Sequence, residues 1–146
     1  MALSNIAGNT FCDVILTALH PTSGTATLGT LVVTFPIKIA LLSAAGSQTA
    51  AGTQISGGSY VAIAAGSTGG INISTNWGAA ASATQAINAT VSQTNMPAVT
   101  TTSIELWDGN ATTSKRIEFG NLTASKTTTA GDTLSFASGA ITSALA

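Results

Sequence analysis

Charge is what this sequence has least of. Its 146 residues include four Lys and Arg and five Asp and Glu, or 6% charged, where an average soluble domain has roughly 25%. Residues 39–103 hold no charge at all, 65 positions in succession. A net charge of −1 with so few basic residues excludes nucleic acid as a partner, because phosphate recognition needs clustered Lys and Arg. Cysteine occurs once, at Cys12, which excludes an internal disulfide and fits synthesis in a reducing compartment. Histidine also occurs once, at His20, so general acid–base chemistry has little to draw on. Aromatics are 5% of the chain. The most apolar stretch, residues 28–42, is interrupted by Pro36 and Lys38 and falls short of the ~20 apolar residues of a membrane span. The first 37 residues contain no Lys or Arg, so the basic start of a signal peptide is not expected. Four Asn-x-Ser/Thr sequons, at Asn72, Asn88, Asn110 and Asn121, are chance matches in a chain with 41 Ser and Thr.

What is present is small and uncharged. Ala, Gly, Ser and Thr account for 82 residues, side chains that lose little rotamer entropy when fixed and let strands approach closely. Hydrophobic residues are nevertheless 45%, enough for a core. Disordered chains combine low hydrophobicity with high net charge, and this chain has neither, so residues 1–146 read as one folded domain. Weak charge also means weak repulsion between copies, which favours association.

The hydrophobic period changes once. Leu3, Ile6, Ala7, Phe11, Val14, Ala18 and Leu19 share one face at the helical period, with Ser4 as a cap and Pro21 past the end, which predicts a helix and makes residues 1–21 a helical arm. Beyond it the period is two. Strands are expected at 28–35, 37–43, 60–65, 71–77, 84–92, 99–107, 114–122, 133–137 and 140–145. In 37–43, Ile37, Ile39 and Leu41 oppose Lys38 and Ala40. In 99–107, Thr102, Ile104 and Leu106 oppose Val99, Thr101, Ser103, Glu105 and Trp107. Turns fall at Ser56-Gly57-Gly58, at 66–70, at Asp108-Gly109-Asn110, at Ala130-Gly131-Asp132 and at Ser138-Gly139. Short strands at such spacing, joined by Gly-rich turns, give a mainly β fold: an antiparallel β-sandwich, jelly-roll-like, over residues 28–146.

The residues that could carry chemistry have simpler roles. His20 beside Pro21 suits a helix end, and Cys12, flanked by apolar residues and Asp13, suits a small buried hydrophobe. Asp13, Glu105, Asp108, Glu118 and Asp132 form no carboxylate dyad and no calcium-loop spacing. Asp108 and Asp132 stand beside Gly in turns, where Asp bonds its own backbone. No phosphate-binding loop or dinucleotide fingerprint occurs. The expectation is no catalytic, cofactor or metal site. Seven of the nine charges lie from Glu105 onward, so residues 107–132 should face water, with Lys115 or Arg116 pairing Glu105 or Glu118 across strands at about 0.2–1 kcal/mol. The charge-free run is then the expected contact surface. Trp77, Trp107 and Tyr60 are too few and too scattered for a glycan platform.

Four segments together resemble a family of small tailed-phage virion proteins: Met1-Ala2-Leu3-Ser4; Ile39-Ala40-Leu41-Leu42-Ser43; Gly52-Thr53-Gln54-Ile55-Ser56-Gly57-Gly58-Ser59-Tyr60; and Gly131-Asp132-Thr133-Leu134-Ser135-Phe136-Ala137-Ser138-Gly139-Ala140-Ile141-Thr142. The chain departs from the family at Asn95-Met96-Pro97-Ala98, where Trp-Gly is usual, and at Val61, where Arg often follows the Tyr. The resemblance implies a structural protein of the virion, made in the host cytoplasm. It would be a decoration or cement protein on the capsid or, alternatively, a tail or tail-fibre component. The expected partners are the major capsid protein and further copies of this chain, with a trimer as the expected oligomer.

Overall fold

The apolar alternation of residues 37–43 produces the central strand of the fold. In the computed structural model the described residues are 24–28, 31–63, 69–73, 75–79, 81, 84–109 and 114–144. They form eleven strands: β1 (Gly24–Leu28), β2 (Leu31–Phe35), β3 (Lys38–Ala44), β4 (Thr53–Gln54), β5 (Ile71–Asn72), β6 (Thr84–Ala86), β7 (Val91–Gln93), β8 (Val99–Trp107), β9 (Arg116–Thr128), β10 (Leu134–Phe136) and β11 (Thr142–Ala144). The fold is mainly β and every ladder is antiparallel. The helix expected over residues 3–19 lies outside the described residues, as do Cys12, Asp13 and His20.

The largest sheet runs β4-β3-β8-β9, with β5 also paired to β3. Along one side of β3, β8 pairs from Lys38↔Trp107 to Leu42↔Ser103. Along the other, β5 pairs at Lys38 and Ile39, and β4 at Leu42 and Ala44. Residues 40 and 41 fall between those two short partners. There Ile55 N–H donates to Leu41 O at 2.9 Å, and Leu41 N–H donates to the Tyr60 hydroxyl at 2.8 Å. A side chain thus completes a ladder that backbone leaves open, as a buried N–H requires. Burial pushes the Tyr60 phenol up to about 12, against the pull of that Leu41 hydrogen bond.

Strand β3 is buried on both faces. Ile37, Ile39 and Leu41 enter the main hydrophobic cluster together with Leu106, Tyr60, Trp77 and Met96. Ala40 and Leu42 pack with Ile63 and Trp107 on the other side. The expected alternation is therefore present, but it separates two cores rather than a core from solvent.

Two small ladders contribute to the main cluster. β6 pairs β11 and β7 pairs β10, and Val91, Leu134, Phe136, Ile87 and Ile141 bury with the β3 residues. Residues 84–93 and 134–144 pair at both ends of their length. Between Ala86↔Thr142 and Val91↔Phe136, four residues on one chain segment face five on the other. Ile87 bridges the interval by donating to Ile141 O and accepting from Gly139 N. The single strand expected at 84–92 is split by this one-residue bulge.

Other differences also have local reasons. Of the strand expected at 28–35, Leu28 ends β1 and 31–35 form β2, which pairs back to β1 from Gly24↔Phe35 to Leu28↔Leu31, while 29–30 lie outside the described residues. The strand expected at 60–65 does not form over 61–63. Tyr60 makes an isolated bridge to Gly57, and its hydroxyl accepts from β3. The strand expected at 71–77 stops at Asn72, and Trp77 bridges Ile87 instead. β8 has the expected bounds, and β9 is longer than expected, 13 residues.

Candidate interaction surface

The polar side of β8 is the more buried one. Thr101, Ser103 and Glu105 are at most 1% exposed, and residues 45–52 return over the Glu105 end of that face. Glu105 and Arg116 hold the loop there. Glu105 Oε1 accepts from Arg116 Nη1 at 2.9 Å and from Gly52 N–H at 2.8 Å, and its Oε2 accepts from Trp107 Nε1 at 3.0 Å. Arg116 also donates to Ala50 O at 2.6 Å, to Gln48 O at 3.1 Å and to Ser47 O. Its guanidinium lies over the Phe119 ring, 5.0 Å from the centroid. The expected cross-strand pair is made, but its setting corrects the expectation. Glu105 is fully buried, so this is an interior ion pair with its oxygens satisfied, not a solvent-screened one.

Asp108 is also buried, at 1% exposed. Its Oδ1 accepts from Lys115 N–H at 2.6 Å and its Oδ2 from Thr34 N–H at 3.4 Å. It links the end of β8 to Lys115 and to β2; the turn expected at 108–110 reaches residues outside those described. Asp132 is exposed in its turn. It accepts from Thr129 N–H at 2.7 Å and from the Thr129 hydroxyl at 2.9 Å, and these bonds hold its carboxyl below the usual range. Lys38, placed between Asn72 and Trp107 in the sheet, is 8% exposed, and burial lowers its pKa. Among the described residues no three His, Cys, Asp or Glu side chains gather as metal ligands would, and no helix is long and apolar enough to cross a membrane.

The water-facing charges are therefore fewer than the sequence suggested, and the uncharged run supplies core and surface alike: residues 43–45, 47–51 and 56–59 are exposed. Ile39, Leu42, Ile55, Ile73, Trp77, Gln85, Ile87 and Met96 all lie in it and are at most 4% exposed. A further uncharged surface lies on β9. This strand ends the sheet and pairs only with β8 among the described strands. Residues 119–121 and 123–127 are exposed, and no charge occurs between Glu118 and Lys126. Ser103 opposes Asn121 and Thr101 opposes Lys126, so Thr102 alone faces residues 122–125. The edge bows away from β8 over those four residues. Nothing in the two-residue period of the sequence signals such a bow.

Beside the bow lies a cleft of about 190 Å³, with Ile104, Leu106 and Leu122 on the sheet side and Ile141 across from them. Gly120 opposes Ile104 in the ladder and leaves it open, since a Cβ there would meet nothing within 4 Å. Glu118 closes one end. The Ser143 hydroxyl and the Ala144 backbone bond its carboxyl, yet burial dominates and raises its pKa. Phe119, next to the cleft, is 42% exposed. The cleft mixes apolar residues with Glu118, Asn121, Thr123 and Thr142, and beside it the outer edge of β9 is uncharged from Phe119 to Ser125. No family model, no curated protein and no solved structure matches the chain.

Proposed function

We propose that this chain is a structural protein of a tailed-phage virion, a decoration or cement protein that stabilises the major capsid shell by packing uncharged surface against it and against further copies of itself. In this reading the five-stranded sheet and the two small ladders are the layers of a jelly-roll-like antiparallel sandwich, and residues 1–21 are a helical arm. The role is assembly and not catalysis. The copies form a cyclic oligomer, with the trimer as the proposed state.

The observation that carries the reading is the scarcity of charge, 6% of the chain, together with an exposed strand edge that is uncharged from Phe119 to Ser125. Such a surface has little to keep copies apart. The motifs shared with small virion proteins, above all residues 131–142, supply the setting. Individually weak contacts become effective when symmetry repeats them over a shell.

Copy number per virion tests the proposal. Quantitative mass spectrometry of purified particles is expected to find hundreds of copies. A count of about six to a few dozen, set by the symmetry of a tail, would place the chain in the tail instead. Absence from particles would overturn both placements.

A further inference from the structure

We infer that the cleft between β9 and residues 140–142 binds a primary ammonium group carried on a short hydrocarbon stem, with Glu118 taking the charge and Ile104, Leu106, Leu122 and Ile141 taking the stem. This site stands apart from the virion reading above.

The walls set the class of ligand. Glu118 opposes Leu106 in the ladder and Gly120 opposes Ile104. Opposed residues share a face of the sheet, so the carboxylate stands at one end of an apolar row. Leu122 continues the row, and Ile141 faces it from across the cleft. The space is about 190 Å³, more than the ~150 Å³ of an apolar cavity that admits benzene. It stays open because Gly120 puts no side chain into it. Glu118 is the only charged residue of the lining, and the other polar groups there are neutral. A carboxylate, sulfate or phosphate ligand would find no Lys or Arg in the lining and would meet a like charge.

Glu118 lacks the cation that such a position calls for. Its carboxyl takes bonds from the Ser143 hydroxyl and the Ala144 backbone, which are neutral donors. It is in no ion pair among the described residues. Arg116 is held by Glu105, Lys126 lies over the Phe136 ring, and Lys38 stands beside Trp107 on the opposite face of the sheet. Burial without a compensating charge raises the Glu118 pKa. A carboxylate offers about four acceptor sites, and Ser143 and Ala144 use two of them. An ammonium brings three donors and the missing charge, while its stem removes the apolar row from water. Few polar groups among apolar walls are what orients a small ligand. An ammonium of this kind comes as a free amine or as the Lys side chain of another protein, and the test separates the two.

The ¹⁵N-labelled chain is titrated with benzylammonium, with benzyl alcohol and with Nα-acetyl-lysine methylamide, following the amides of Ile104, Gly120, Leu122 and Ile141 by NMR. Benzylammonium is expected to shift them saturably in the millimolar range, as suits a ligand of about eight non-hydrogen atoms. Glu118→Gln should weaken benzylammonium by about tenfold or more and leave benzyl alcohol unchanged. Gly120→Leu, which builds a side chain into the open space, should abolish binding of both. Benzylammonium should bind more weakly as pH falls through the Glu118 titration, because no other lining residue is ionisable and its neighbours Leu106, Ser143 and Ala144 do not titrate. Tighter binding of the lysine amide than of benzylammonium assigns the site to a protein Lys side chain, and the reverse assigns it to a free amine. The inference is overturned if benzylammonium leaves these amides unmoved, if Glu118→Gln weakens benzylammonium and benzyl alcohol alike or weakens neither, or if Gly120→Leu still binds both. None of these results alters the copy number per particle, so the virion reading and the amine site fail independently.

Discussion

Arg116 and Glu105 meet at 2.9 Å in the interior of a chain that has only nine charged residues, and Glu105 has no exposed side-chain surface. The pair is neighbour-rich rather than isolated. Gly52 and Trp107 satisfy the carboxylate, and three carbonyls of residues 47–50 satisfy the guanidinium. What the pair achieves is closure of the 45–52 loop over the second face of β3. That closure makes Ala40 and Leu42 core residues.

Removing one partner should therefore be expensive. Arg116→Ala leaves a buried carboxylate uncompensated and is expected to lower stability by about 3–5 kcal/mol, measured as a shift in the urea midpoint. Adding Glu105→Gln should recover part of the loss, because it removes the uncompensated charge and its one amide oxygen still accepts from either Gly52 or Trp107. A double variant no more stable than Arg116→Ala would contradict this account.

Tyr60 permits a cleaner test because it is the only Tyr in the chain. Tyr60→Phe removes the acceptor for Leu41 N–H and is expected to cost about 1–3 kcal/mol. The wild-type phenol titrates near 12 when folded and near 10 when unfolded. Below pH 10 both states are protonated and its contribution is fully present. Between pH 10 and 12 the unfolded chain alone gives up the proton, so stability falls as pH rises. Phenolate absorbance at alkaline pH should show the raised pKa. The stability difference between wild type and Tyr60→Phe should shrink across that window, and a difference independent of pH would refute the assignment.

The sequence carried the strands better than their surroundings. Alternation at 99–107 defined β8 to the residue, and the split of Ile37, Ile39 and Leu41 from Lys38 and Ala40 is real. What it could not carry is which face another segment returns to cover. The alternation of 99–107 set Thr101, Ser103 and Glu105 on one face without saying what would cover it. Glu105 is buried where residues 45–52, far away in sequence, fold back onto it. Tyr60 read as a strand residue, since nothing local says that its hydroxyl replaces a missing ladder partner. The bow at 122–125 was invisible for a similar reason. It is a mismatch between two strands, four residues against one, and neither strand shows it alone.

Two glycines should respond oppositely to a methyl group. Gly58 has φ +59, and a Cβ there would stand 2.0 Å from Asn95 O. Gly58→Ala must move backbone on both sides of that contact and is expected to cost at least the ~1–2 kcal/mol of a left-handed residue. Gly120 lies in β9 with open space where its Cβ would be. Gly120→Ala reduces the freedom of the unfolded chain without a clash and should stabilise by about 0.4–1 kcal/mol. Thermal melts of the two variants beside wild type give the comparison, and equal losses would contradict the open cleft.

Glu118 sets a pH dependence at the mouth of the same cleft. Burial raises its pKa in the folded chain, while bonds from Ser143 and Ala144 offset this only in part. The folded state therefore holds the proton more tightly than the unfolded state. Stability from this group is fully present below its ordinary value of about 4.3 and is lost as pH rises through the folded value. Glu118→Gln stays neutral at every pH and still offers an oxygen to the Ser143 hydroxyl or the Ala144 N–H. It should match wild type at acid pH and melt higher than wild type at pH 7. If instead the variant melts lower at pH 7, the ionised carboxylate is the stabilising form there, and the bonds to β11 outweigh its burial.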